Sequence, residues 1–430
     1  MKTYIEPKSA DWAQILQRPT MDLSVIYDQV NPILETVKQE GDAALKTYAE
    51  RFDGVKLETL WVSAQEMEAA QSKVDEGLKD AIRLAAKNIE RFHAAQARPT
   101  LEVSPMEGVK CWRKGVAIEK VGLYIPGGTA PLFSTVLMLG IPAKLAGCAE
   151  IVLATPPNKE GEIHPAILFT AKLLGIDKIV KAGGAQAIGA LAYGTESVPA
   201  VYKIFGPGNQ YVTAAKQLVS QSAGVAIDMP AGPSEVLVYA DATANADFIA
   251  SDLLSQAEHG VDSQVVLVTN EEAVVKEVQE ALDRQLATLP RAEIAEKALG
   301  NSMAIVLKDL EQAIRLINVY GPEHLILQSE SQYKIAERII NAGSVFIGAY
   351  TPESAGDYAS GTNHTLPTNG YARNHSGVSL DSYLKQITFQ EITEEGLKNI
   401  GPAIEKMAAS EELQAHKQAV TLRLNYLNSK

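Results

Sequence analysis

The sequence predicts an α/β protein with two parallel-sheet units and small helical extensions at its ends. Short apolar runs between residues 121 and 347 each lead into a turn and then into a segment of helical period. Strands joined by helical crossovers produce this alternation, because such strands are buried on both faces. It comes in two rounds, 118–229 and 234–347, and the flanking segments carry mainly helical periodicity.

At the N-terminus, Ser24–Phe52 spaces Val25, Ile26, Val30, Ile33, Leu34 and Val37 as one helical stripe. Ser63–Ala95 repeats the pattern through Met67, Val74, Leu78, Ile82, Leu84 and Ile89, and Ser63 with Glu66 forms a capping-box signature. Gly108–Ile125 turns β-rich. The first round then reads as strand Val121–Ile125, helix Leu132–Leu145, strand Ile151–Thr155 and helix Pro165–Leu174. It continues with strand Lys178–Ala182, helix Ala185–Tyr193, strand Tyr202–Phe205 and helix Asn209–Val219. The second round sets strands at Val236–Tyr239, Val265–Thr269, Ala304–Val306, Leu325–Leu327 and Ser344–Ile347. Helices Ala244–His259, Glu272–Leu286, Leu310–Val319 and Gln332–Ala342 fall between them. Ala349–Ser379 reads as a long Gly-, Thr-, Asn- and Ser-rich loop, and a helical tail runs to Lys430.

Composition narrows the function. The 430 residues carry 39 Lys and Arg against 52 Asp and Glu, a formal charge of −13. An acidic chain without basic runs argues against nucleic acid and anionic membranes. No apolar run approaches the roughly 20 residues of a membrane span, and the N-terminus lacks the pattern of a secretory signal. Cys111 and Cys148 are too few for a disulfide framework or a cysteine-based zinc site; Cys148, at a helix end before a buried strand, reads as structural, while Cys111, beside Trp112 in a β-rich segment, is left open. A cytoplasmic enzyme is expected.

Three glycine turns precede helices and offer anion sites: Pro126-Gly127-Gly128, Ala182-Gly183-Gly184 and Gly206-Pro207-Gly208. None completes the three-glycine dinucleotide fingerprint, since Tyr211 stands where the last glycine belongs. His93 and His164 read as surface or core residues. His259 ends a helix, with Gln256 three residues earlier on the same face. Chemistry would prefer Glu258 as a ligand and geometry Gln256, while a histidine that merely satisfies the helix dipole explains His259 equally well. Glu323-His324 follows Gly321-Pro322, a break that lets two adjacent side chains reach one site. A carboxylate beside an imidazole offers two bases of different strength, and a solvated strand end accounts for the pair as readily. Asp357 and His364 flank a glycine-rich loop and suit a divalent ion chemically, though their spacing proves nothing. His416, beyond Glu411 and Glu412, reads by default as part of a solvated helix.

Eight blocks resemble the histidinol dehydrogenase family and cover nearly the whole chain. They are VGLYIPGGTAP (121–131), AGGAQAIGALAY (182–193), FGPGNQY (205–211), DMPAGPSE (228–235), DLLSQAEHG (252–260), GPEHL (321–325), GDYASGTNHTLPT (356–368) and HKQAVTLR (416–423). The resemblance implies oxidation of L-histidinol through L-histidinaldehyde to L-histidine, with two NAD⁺ reduced, as the last steps of histidine biosynthesis. It implies one Zn²⁺ held by Gln256, His259, Asp357 and His416. These four, with Ser234, His324, His364 and Glu411, would contact the substrate. Tyr124, Gln186 and Asn209 would contact NAD⁺, while Glu323 and His324 act as the catalytic bases.

The same resemblance implies two Rossmann-like domains, one inserted in the other. Residues 25–120 with 234–375 would carry zinc and catalysis, and 121–233 the NAD⁺ contacts. Residues 1–24 would form a helical extension, and 376–430 a helical segment that completes the partner's site in a homodimer. His375 receives no role. A zinc-site dehydrogenase of another alcohol is the alternative expectation.

Overall fold

The computed structural model describes residues 1–19, 23–127, 130–230 and 232–430, so Gly128 of the first glycine turn lies outside the described residues. The chain divides into two compact units, 1–96 with 118–382 and 97–117 with 383–430.

The first unit holds both expected parallel sheets. The larger has six strands in the order Lys2–Ile5, Met303–Val306, Gln264–Thr269, Glu235–Ala240, His324–Gln328 and Ser344–Ile347. Every neighbouring pair in it is parallel. The smaller, also parallel, runs Ile179–Lys181, Glu150–Thr155, Lys120–Tyr124, Lys203–Phe205 and Ala226–Ile227. Its chain lies between the first strand of the larger sheet and the rest, so one sheet is inserted in the other. In each sheet the first strand of the round is central and the order reverses beside it. Such switch points in open α/β sheets open a crevice for ligands outside the carboxyl ends of the strands, which in the smaller sheet is the edge carrying Tyr124.

Burial explains the wrapping. Helix Phe133–Ala146 is apolar on all sides and nearly enclosed, as a helix packed on both faces must be. The capping box at Ser63 forms as the sequence predicts, with Glu66 N–H donating to Ser63 Oγ at 3.1 Å.

Several expectations are corrected. The expected helix 24–52 breaks at Gly41 (φ +55°) into Leu23–Glu40 and Asp42–Tyr48, followed by a π-helical turn, Ala49–Asp53. The expected helix 63–95 breaks where Val74 turns extended and Asp75 caps a new helix, Glu76–Ala94. An apolar stripe is continuous across such a break, so periodicity does not reveal it. The helices up to residue 48, grouped above with 234–375, pack instead on the smaller sheet's helices: Val30, Leu34 and Val37 share a core with Ile188, Leu191 and Val219. Ile82 and Ile89 likewise pack on Leu137 and Ile141. An amphipathic face declares that it needs a partner, not which one. The N-terminal extension opens with Lys2–Ile5, an edge strand of the larger sheet. Helix Gln332–Ala336 is one turn long, and the long loop contains helix Glu353–Tyr358.

The second unit corrects the all-helical tail. Leu384–Ile392 is a strand, antiparallel to Val109–Ala117, which pairs in turn with Leu101–Met106. Helices Glu394–Ser410 and Gln414–Ser429 follow.

Candidate functional site

The expected catalytic pair sits at the N-terminal edge of the larger sheet. Helix Leu310–Tyr320 is closed by Gly321 in the left-handed region (φ +61°), and strand His324–Gln328 starts three residues later. Both side chains of the pair are buried, Glu323 at 6% and His324 at 4% exposure. Each is tethered to the main chain of Glu235, the first residue of the adjacent strand. Glu323 Oε2 accepts from Glu235 N–H at 3.0 Å, and His324 Nδ1 lies 3.2 Å from the Glu235 carbonyl oxygen. A carbonyl can only accept, so Nδ1 carries the proton and Nε2 is the basic nitrogen. Nε2 is buried without a hydrogen bond among the described residues and faces Asp357 Oδ1 at 3.9 Å. Burial pushes His324 down to about 3, which keeps the ring neutral.

Four further acids surround this pair. Glu235 is paired with Arg18, whose Nη2 donates to its Oε1 at 3.0 Å and whose guanidinium stacks 3.9 Å from the Tyr320 ring centre. Glu353 and Asp357 crowd the other side, and Asp252 stands behind Glu353, accepting from Gln328 Nε2 at 3.2 Å. Burial raises Glu323 and Glu353 well above the usual carboxylate range, with neighbouring carboxylates adding to it, and burial raises Asp357 and Asp252 to about 7. Such a cluster favours a cation, which would return each acid to its ionised form.

The donor set fits a divalent ion. His259, Glu353 and Asp357 each offer a ligand atom within 4.8 Å of the others. Gln256 lies against them, its amide satisfied when the nitrogen donates to Glu353 and the oxygen accepts from Glu235 N–H at 2.9 Å. Turned the other way, its carbonyl oxygen joins the acceptors. Mixed imidazole and oxygen donors suit Zn²⁺ and similar ions. Gln256 is buried while Glu258 is half-exposed, so geometry prevails over the ligand chemistry that favoured Glu258. Among the expected ligands, the structure brings together Gln256, His259 and Asp357. His416 and Glu411 belong to the second unit, where both are exposed.

His364 stands beside the acids, with Nδ1 donating to the Asp357 carbonyl at 2.9 Å and Nε2 3.1 Å from Thr135 Oγ1. Ser234 lines a recess with Glu323, His364 and the Gly206–Gly208 turn. Lys216 and Asp228 clamp that turn: Lys216 Nζ donates to Gly206 O at 2.9 Å, and Gly206 N–H donates to Asp228 Oδ2 at 2.8 Å. Lys216 and Asp228 also form a buried ion pair.

The expected cofactor contacts line one cavity of about 820 Å³ at the C-terminal edge of the smaller sheet. Tyr124, Gln186 and Asn209 share it with Gly127, Gly183 and Gly184. Tyr124 Oη accepts from Gly184 N–H at 3.1 Å, and Asn209 Oδ1 caps the next helix by accepting from Tyr211 N–H at 3.1 Å. A cavity rimmed by glycine turns and helix N-termini fits a dinucleotide. Asn209 and Tyr211 also line a second cavity with Ser234 and His259, so the cofactor cavity leads to the acid cluster.

The remaining histidines and thiols have local explanations. His93 is buried, with Nδ1 2.9 Å from the Ile89 carbonyl. His164 caps helix Pro165–Leu173, accepting from Ala166 N–H at 3.2 Å. His375 bonds its neighbour Asn374 at 2.7 Å. Burial raises the Cys148 thiol to about 11, the wrong direction for a nucleophile.

Sequence reasoning missed Glu353, Asp252, Arg18 and Glu235. For two of them a signal existed. Glu353 precedes Asp357 by four residues, and Asp252 precedes Gln256 by four, the spacing that puts side chains on one helical face. Arg18 and Glu235 are 217 residues apart, and nothing local connects them.

Comparison with known proteins follows this geometry. The family model described as histidinol dehydrogenase matches residues 16–424. The histidinol dehydrogenase of Bacteroides thetaiotaomicron is 62% identical over 427 residues, covering 99% of this chain and all of that protein. That of Escherichia coli K12 is 53% identical over 416 residues, covering 96% of this chain and 95% of its own. The crystal structure of histidinol dehydrogenase from Elizabethkingia anophelis superposes with a TM-score of 0.96 at 57% identity, covering 100% of this chain and 99% of that one.

Proposed function

The chain belongs to the histidinol dehydrogenase family, an oxidoreductase of histidine biosynthesis, and from that premise we propose how its residues carry out the reaction. The substrate is L-histidinol, oxidised in two hydride transfers through L-histidinaldehyde to L-histidine. The observation that carries this reading is convergence: Gln256, His259 and Asp357 meet Glu323 and His324 at one sheet edge, beside the cavity of Tyr124, Gln186 and Asn209.

Gln256, His259 and Asp357 hold Zn²⁺ together with His416 of the partner subunit. When bound, Zn²⁺ supplies an anchor for the substrate's imidazole and amino nitrogens, and NAD⁺ supplies the hydride acceptor. Ser234, His364 and Glu411 of the partner subunit contact the substrate. His324 Nε2 takes the hydroxyl proton as hydride leaves carbon, a role that the fixed Nδ1–H tautomer supports. Glu323 then removes a proton from water as that water adds to the aldehyde. Ionised once a cation fills the cluster, Glu323 is able to accept that proton. As water adds, the proton that His324 took from the alcohol passes to the aldehyde oxygen to give the hydrate, and the neutral imidazole then accepts the next hydroxyl proton during the second hydride transfer.

A homodimer is part of the proposal, because His416 and Glu411 lie exposed on the second unit with Leu413, Leu422 and Tyr426. A cytoplasmic location suits the free Cys111 and Cys148. The test follows NADH formed from L-histidinol with and without a chelator, counting NADH per histidine. Two NADH per histidine, lost on chelation and restored by Zn²⁺, is expected. One NADH per turnover, or full activity after verified metal removal, would defeat the reading.

A further inference from the structure

We propose that Asp53 sets cofactor specificity: its carboxylate accepts hydrogen bonds from the hydroxyls of the adenosine ribose and keeps a 2′-phosphate out. The inference rests on the cavity described above being the dinucleotide site.

Three observations carry it. The first is the backbone. Asp53 ends a π-helical turn, Ala49–Asp53, that Gly54 closes in the left-handed region (φ +71°). A π turn costs hydrogen-bond regularity and recurs where a side chain must be re-aimed at a ligand. Here it sends Arg51, Phe52 and Asp53 to the wall of the 820 Å³ cavity that also holds Tyr124, Gln186 and Asn209.

The second is an orphaned acceptor. Asp53 Oδ2 is buried and has no hydrogen-bond partner among the described residues. A buried carboxylate oxygen without a donor is costly, and a ligand hydroxyl pair supplies what the protein does not. Burial alone raises this acid to about 6, so it is an ionised acceptor above neutral pH.

The third is position along the cavity. Asn209 and Tyr211 also line the cavity of Ser234 and His259, so the reacting end of a dinucleotide belongs there. The wall from the N-terminal helices, with Gln29, Tyr48 and Asp53, lines the first cavity and not the second. It therefore receives the distal, adenosine end. Phe52 stacks on Tyr48 with ring centres 5.4 Å apart, an apolar platform beside the acid suited to a flat base. Arg51 on the same wall has its guanidinium over the Phe52 ring, 5.2 Å from its centre, so a doubly charged 2′-phosphate would meet the half-buried Asp53 carboxylate and be repelled, whereas two ribose hydroxyls would be held.

The experiment titrates the full-length protein at pH 8 with NADH, NADPH and the NADH analogue lacking the adenosine 2′-hydroxyl, read by nicotinamide fluorescence. Wild type is expected to bind NADH about tenfold or more tightly than either competitor, the size of a hydrogen bond to a charged group. Asp53→Asn should weaken NADH by about five- to tenfold and reduce discrimination against NADPH by about tenfold or more. It should also narrow the difference between NADH and the deoxy analogue to about twofold. Equal wild-type affinity for NADH and the deoxy analogue would overturn the proposal without needing any variant to fold. Unchanged discrimination in a folded Asp53→Asn would overturn it as well. Gln186→Ala separates the two levels: NADH binding that ignores both substitutions removes the cavity assignment itself. Binding that falls with Gln186→Ala but not with Asp53→Asn removes only the role of Asp53.

Discussion

The imidazole of His324 is locked to the main chain of Glu235: its Nδ1 lies 3.2 Å from the Glu235 carbonyl oxygen, which leaves Nε2 as the one nitrogen free to accept a proton. The same residue's N–H holds Glu323, so a single position on the neighbouring strand orients both proposed bases. Replacing His324 with Asn keeps a donor for that carbonyl and removes the base. Turnover in both oxidations should fall by about 10²–10⁴-fold, with substrate KM changed far less. Near-normal turnover would dismiss His324 as the base.

Glu323→Gln separates the two chemical steps. The amide oxygen still accepts from Glu235 N–H, so the fold is kept, but water activation is lost. Oxidation of the aldehyde should drop by about 10²-fold or more while oxidation of the alcohol changes little. Equal losses in the two half-reactions, assayed separately from histidinol and histidinaldehyde, would contradict the assignment.

Arg18 anchors the N-terminal segment to the site through Glu235 and donates to the Tyr320 carbonyl at 2.8 Å. Arg18→Met leaves the buried Glu235 carboxylate uncompensated, and breaking a buried pair this way costs about 3–5 kcal/mol. Urea unfolding should register that loss, and adding Glu235→Gln should restore part of it. Additive losses in the double variant would mean that the pair is not coupled.

Asp252 should make stability fall as pH rises. Burial lifts it from 3.8 to about 7 in the folded protein, so between these values the folded state binds a proton that the unfolded state has released. Stability from this group is full below pH 4, declines through pH 7, and stays at its lowest above that. In chelator-treated protein, Asp252→Asn should therefore be the more stable form at pH 8, by on the order of 1–3 kcal/mol. The advantage should vanish near pH 4. An advantage independent of pH, measured by denaturant titration at both values, would refute the shift.

Neither thiol takes part in the proposed chemistry. Cys111→Ser with Cys148→Ser should retain activity to within about twofold, and iodoacetamide should leave the wild type active, because no proposed step uses a thiol and Cys148, raised to about 11 by burial, holds almost no thiolate at neutral pH. Inactivation protected by substrate would reopen a thiohemiacetal route.

Much of this protein was determined by its sequence. Strands buried on both faces must be apolar throughout, so the alternation of short runs and helical segments specified two parallel sheets before any coordinates. Local chemistry also marked the Ser63–Glu66 capping box and the Gly321-Pro322 break that brings Glu323 and His324 to one site. The helix expected to run to His259 ends instead at Ala257, so His259 reaches the site from the turn that follows it rather than from a helical face shared with Gln256. Tertiary structure alone decided the partners. Helix Leu23–Glu40 chose the smaller sheet's helices, strand Leu384–Ile392 found Val109–Ala117 across some 270 residues, and Arg18 met Glu235. The reason is physical: periodicity and capping act within a few residues, whereas pairing between distant segments depends on complementary shape and charge that neither segment carries alone.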